Sequence, residues 1–173
     1  MKAWKTSLVI LFSIFLIALA AFSYAQKETE VLAFNDRKTG ELLAYLPIND
    51  QDHFQLKFTH SVHLSDVYEE YRVEDQKLYP EQLIYEDTAI GMPSNAGEGA
   101  TFEMKDGKYY ISNLTGSHDY IDLSIGQVKA RHTLIFQGEQ YMLKEYVGAG
   151  TVVRIQPVSL SRWKLLRGVN VLE

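Results

Sequence analysis

Beyond residue 26 the apolar positions alternate with polar ones over five to eight residues at a time, punctuated by Gly, Asp, Asn and Pro. No stretch there sustains a 3.6-residue apolar period over three helical turns. The pattern predicts strands at 29–35, 41–47, 53–62, 67–75, 82–87, 100–105, 108–113, 119–124, 130–137, 140–146 and 151–157. No internal repeat, low-complexity tract or linker divides this region, so 26–173 reads as one domain. The fold class expected is all-β: a single antiparallel β-sandwich or flattened barrel of roughly ten short strands.

Three hairpins have a predicted register. Asp106-Gly107 is a two-residue turn signal that pairs Met104 with Tyr109 and Phe102 with Ile111. Gly138-Glu139, with Gly first, pairs Phe136 with Tyr141 and Leu134 with Leu143. In the third, a loop His63-Leu64-Ser65-Asp66 sets Val62 opposite Val67, which places His60 opposite Glu69 and Phe58 opposite Tyr71. Two ionisable groups then meet on an otherwise apolar face, where desolvation demands that they be paired.

The first 25 residues differ from the rest. A short start with Lys2 and Lys5 leads into an apolar run from Leu8 to Phe22, broken only by Ser13. Ser23-Tyr24-Ala25 then puts small residues where a signal peptidase reads. The expectation is a signal peptide cleaved after Ala25, or failing that an uncleaved N-terminal anchor. Either places the body outside the cytoplasm, secreted or held on the outer face of the cytoplasmic membrane.

Composition narrows the function classes. An aromatic content of 12% suits pleated, half-buried strands. Lys2 and Lys5 lie in the leader and no acid does, so the chain's net charge of −5 becomes −7 beyond it. Such a body repels phosphate backbones, which argues against a nucleic-acid partner. With no cysteine there is no lipoprotein anchor, thiolate metal site or cysteine nucleophile.

The candidate site is the polar pair. A carboxylate from Glu69 that orients the His60 imidazole suits ligand binding or proton transfer, and equally a structural pair that pins a register. His60 and His63 lie three apart on a strand and point to opposite faces, so they do not chelate a metal, and no cofactor is expected. Ser61 faces away from its neighbour His60, and no nucleophile elbow is present, which argues against serine-hydrolase chemistry. The segment from Gly91 to Gly99 is the longest flexible stretch and offers amides for an anion nest, or a plain connector. The tail Ser161-Arg162-Trp163-Lys164-Leu165-Leu166-Arg167 is expected to dock on the core rather than to touch lipid.

The segments His60-Ser61-Val62, Val67-x-Glu69-x-Tyr71 and Gly91-Met92-Pro93 resemble the domain of unknown function 1850 family. Its members pair a leader with an "HSV … V-x-E" segment and a later glycine-rich "G-x-G-x-P" segment. The likeness runs from the strand at 31 to the strand at 157, and departs from the pattern at Ala89, where a glycine is usual. It implies an exported protein often encoded beside TRAP transporters of the TAXI class, with His60, Glu69, Ser61, Tyr71, Gly91 and Pro93 as ligand-binding residues. On this reading the chain is a non-enzymatic accessory or binding module. Its partners would be a small carboxylate or amino-acid ligand and TRAP transporter subunits, and it would meet a membrane only through an uncleaved leader. The alternatives are a hydrolase or lyase using Glu69 and His60 as an acid–base pair, and a purely structural cell-envelope protein.

Overall fold

The structure is a computed structural model that describes residues 2–60, 64–86, 93, 95–97, 99–128 and 130–173. A helix, α1 (Lys2–Ala25), precedes the body and ends at the expected leader boundary. Counted over the described residues, no helix is long and apolar enough to cross a membrane. Strands β1 (Glu28–Asp36), β2 (Leu42–Pro47), β3 (His53–Thr59), β4 (Asp66–Glu74) and β5 (Lys77–Tyr85) follow. Next come β6 (Thr101–Lys105), β7 (Lys108–Ser112), β8 (Ile121–Ser124), β9 (Thr133–Phe136) and β10 (Glu139–Met142). The chain closes with α2 (Leu143–Val147), β11 (Val152–Ser161), α3 (Arg162–Leu165) and β12 (Val169–Asn170).

The strands form two sheets, one of five in the order β12-β2-β1-β11-β8 and one of seven in the order β10-β9-β3-β4-β5-β7-β6. The fold is therefore all-β, as the alternation predicts, and a sandwich. One pairing departs from the antiparallel expectation, because β12 runs parallel to β2. Between the sheets, Leu32, Phe34, Leu46, Val153 and Ile155 pack against Phe54, Leu56, Val73, Leu134 and Phe136. β1 is buried on both faces: Leu32 and Phe34 point into this core, while Val31 and Ala33 pack beneath Leu165 of α3. The tail thus docks on the body through Leu165.

The five-stranded sheet does not cover all of its partner. Val67, Tyr85 and Ile111 form a separate cluster with Phe58, Leu83, Phe102 and Tyr109, roofed by Ala100 and Leu114 of the connecting loops. No residue of the opposite sheet belongs to it, so the end of β5 around Leu83 and Tyr85, with β7 and β6, forms a wing that extends past the sandwich, while Leu78 at the start of β5 stays in the main core.

The first hairpin has the predicted register, with Met104 opposite Tyr109 and Phe102 opposite Ile111. The second is corrected by two positions: Phe136 faces Glu139 and Leu134 faces Tyr141. Gln137 and Gly138 both have positive φ, 51° and 87°, so glycine stands second in the turn. Leu143 does not continue the strand but opens α2, whose Leu143 and Val147, four apart, share its buried face. β5 starts five residues before the predicted 82, running through Pro80. The register with β4 shifts between Glu70 and Tyr71, which leaves Glu81 as the extra residue of a bulge beside that proline, where a missing N–H disturbs no regular ladder.

Candidate functional site

The third hairpin carries the main correction. Phe58 pairs with Val67, Leu56 with Glu69 and Phe54 with Tyr71. The turn begins earlier than predicted: the His60 N–H donates to the Ser65 carbonyl at 2.8 Å and the Leu64 N–H to the His60 carbonyl at 2.9 Å. His60 therefore stands across from Ser65, and Glu69 lies four residues further along β4. At ~3.3 Å per residue that is about 13 Å, too far for an ion pair. The predicted pairing of His60 with Glu69 is overturned, although the shift is even and both keep their place on the inner face.

Glu69 instead occupies a more unusual position. Reading across the inner face of the seven-stranded sheet, one row runs Tyr141, Leu134, Leu56, Glu69, Leu83, Ile111, Phe102. Glu69 is its middle member, on the central strand, and every other member is apolar. On one side of it lie Leu56 and Tyr71 of the main core, on the other Val67 and Leu83 of the wing. The carboxyl thus sits at the seam where the second sheet stops, and it is only partly buried.

Among the described residues its hydrogen-bond partner is the Tyr71 hydroxyl, which donates to Glu69 Oε2 at 3.0 Å. Both residues are on β4, two apart and on one face, so the bond follows directly from strand geometry. No lysine, arginine or histidine among the described residues forms an ion pair with this carboxylate. Burial pushes the Glu69 carboxyl above the ordinary glutamate value, and the Tyr71 bond offsets this only in part. Burial also raises the Tyr71 hydroxyl, with the Glu69 charge and their shared hydrogen bond adding to it. Tyr71 stacks on Phe54 with ring centroids 5.5 Å apart, which fixes the hydroxyl's direction.

The other predicted site residues are spread around this seam. His60 follows the last residue of β3 with its Nδ1 atom buried. Pro93 lies over the wing, its carbonyl accepting a hydrogen bond from the Tyr85 hydroxyl. Ser61 and Gly91, with Ala89 of the family motif and much of the Gly91–Gly99 segment, fall outside the described residues. A histidine not singled out from the sequence lies just before β9, beside the wing cluster. His132 packs on Phe58 at 5.8 Å, and its Nδ1 accepts the Gly126 N–H at 3.1 Å. Burial lowers its pKa, so the ring is held neutral with Nδ1 as acceptor.

A second polar constellation, on the outer face of the same sheet, had no signal beyond alternating polar residues in β4. His53 Nε2 meets Glu81 Oε2 at 3.0 Å, and Arg72 Nε meets Glu81 Oε1 at 2.9 Å. The Arg72 guanidinium also lies over the Tyr79 ring at 5.0 Å. These residues line a groove of about 800 Å³. Both charges of Arg72 and Glu81 are already matched there, which describes a surface network holding β3, β4 and β5 together.

Fold and site together define a two-sheet β-sandwich with a carboxyl set into the seam of its larger sheet that has no counter-charge among the described residues. The chain belongs to the family described as a domain of unknown function, DUF1850, whose model matches residues 54–143. That match is narrower than the 31–157 read from the motifs and takes in the strands of the seven-stranded sheet together with β8 of the other sheet. Neither the curated proteins nor the solved structures contain a match to the chain.

Proposed function

We propose that the protein is an extracytoplasmic binding module whose ligand-recognising group is the Glu69 carboxyl. The observation that carries this reading is a carboxyl at the centre of an apolar row with a tyrosine hydroxyl as its described partner. A fold gains nothing in stability from such a group, since desolvating it opposes folding. A ligand with a protonated amine supplies the missing counter-charge, and a partly buried setting strengthens that attraction over what water allows. Amino acids and related amines are thus the favoured solutes within the class expected from the sequence. Their apolar parts would lie against the half-buried Leu83 and Phe58, and Tyr71 would hold the carboxylate in position.

Export of the body rests on the leader, and a role beside a TRAP transporter on the family resemblance. Acid–base catalysis by Glu69 and His60 is not favoured, because the two groups are about 13 Å apart along the strand. Thermal stabilisation across a panel of amino acids, simple amines and simple carboxylates tests the reading. Amine-bearing solutes should raise the melting temperature of the natural protein and leave Glu69→Gln unmoved. Stabilisation by simple carboxylates alone, or equal stabilisation of Glu69→Gln, would overturn it.

A further inference from the structure

α1 turns large apolar side chains outward on every side. Leu11, Phe12, Ile14, Phe15, Leu16 and Ile17 are all exposed, and together they encircle the helix. None of the described residues of the body covers them. Where α1 ends, α3 is fastened to it: the Arg162 guanidinium lies 4.0 Å over the Tyr24 ring, and the Arg162 N–H donates to the Lys27 carbonyl at 3.2 Å. Between the two is a largely apolar groove of about 530 Å³, walled by Tyr24, Tyr45, Pro47, Trp163 and Leu166, with Glu173 at its margin.

α3 has two unlike sides. Leu165 is buried against Val31 and Ala33, whereas Trp163 and Leu166 stand 62% and 79% exposed, with Val169 and Leu172 exposed close by in the chain. Lys164 and Arg167 are exposed next to them in sequence. Exposed tryptophan and leucine among basic side chains is the composition of a membrane–water interface. The setting makes the charge meaningful. Beyond the leader the chain carries −7, so an anionic surface repels most faces of the body. Lys27, Arg162, Lys164 and Arg167 gather where α1 emerges, set against Glu28 and Glu173.

We propose that this end of the body rests on an anionic phospholipid surface, the same surface that takes up α1, with Trp163 and Leu166 dipping into the headgroup layer. Lys164 and Arg167 then face the lipid phosphates, and the seven-stranded sheet with its Glu69 seam belongs to the body held above them. The contact uses α3 in addition to the leader, so it orients the body rather than merely tethering it.

The chain holds two tryptophans, Trp4 and Trp163, so Trp4→Phe leaves Trp163 as the sole reporter. This full-length variant is reconstituted into vesicles of mixed phosphatidylglycerol and phosphatidylcholine with bromines at shallow or deep acyl positions. The expected result is at least a twofold loss of Trp163 emission with shallow bromines and little loss with deep ones. Replacing the phosphatidylglycerol by phosphatidylcholine, or introducing Lys164→Glu with Arg167→Glu, should restore most of the emission. Emission unchanged by either brominated lipid would overturn the proposal. So would stronger quenching from the deep position, or quenching indifferent to lipid charge.

Discussion

Replacing Glu69 with glutamine isolates the charge at the seam from everything else about the residue. The glutamine oxygen still accepts the Tyr71 hydroxyl's hydrogen bond, and the shape is nearly kept. What disappears is a carboxylate with no described counter-ion in an apolar row. Leaving a buried charged group uncompensated costs about 1–3 kcal/mol or more, and partial exposure argues for the lower part of that range, about 1–2 kcal/mol. For a domain of this size each kcal/mol moves the melting temperature by about 2–4 °C, so Glu69→Gln should melt about 2–8 °C higher at neutral pH. The pH dependence fixes the cause. The folded state raises this carboxyl's pKa, so it holds the proton more tightly than the unfolded chain does. The group's favourable contribution is complete below the unfolded value, near 4.5, and is lost as the pH rises through the raised folded value. The advantage of the glutamine variant should therefore be absent at about pH 4 and grow toward pH 7. His132 works in the opposite sense, because its lowered pKa gives stability above the ordinary histidine value that is lost on acidification. Being common to both proteins, it cancels in the difference. Calorimetric melts of the two proteins between about pH 4 and 8 make the comparison. A glutamine variant less stable than the natural protein at pH 7, or a difference flat with pH, would refute the reasoning.

Three further outcomes follow from the same geometry. Tyr71→Phe removes the described donor to Glu69 and should cost about 1–2 kcal/mol at pH 7; a double-mutant cycle with Glu69→Leu should recover a coupling of about 1 kcal/mol, and additive effects would count against the bond. Gln76→Gly should stabilise the β4–β5 hairpin by about 0.5–1 kcal/mol, since Asp75 and Gln76 are both held at positive φ, 49° and 55°; urea denaturation that shows a loss would contradict this. Mass spectrometry of the membrane-held protein should give the intact chain of 19.8 kDa with α1 retained, whereas an N-terminus at Gln26 would show a cleaved leader and remove α1 from the lipid contact.

Alternation made the faces legible, and turn chemistry decided how much of the register was. Side-chain direction in a strand depends only on parity, so Phe54, Leu56, Phe58, Val67, Glu69 and Tyr71 were assigned to one face correctly even where their partners were not. Asp106-Gly107 announces its turn, and that register held. The turn after β3 contains neither glycine nor proline between His60 and Ser65. Among its described residues Leu64 is left-handed, with φ 57°, which no sequence preference marks. The β4–β5 turn at Asp75-Gln76 is equally unmarked, and Pro80 beyond it disguised the first half of a strand. α2, α3 and β12 are each at most five residues long, too short for any periodicity to declare itself. Glu69 was singled out from the sequence as an acid on a greasy face. Its place at the centre of the row depends on strand order, which alternation does not encode.

The proposal that matters most is that the Glu69 carboxyl, which has no counter-charge among the described residues, takes a cationic ligand. A carbon-13 NMR titration of its side-chain carboxyl, assigned by the signal missing in Glu69→Gln, tests it directly. The free protein should titrate above the ordinary glutamate range, and a bound amine should draw the midpoint downward. An ordinary midpoint that stays put on adding every amine tried would contradict the account.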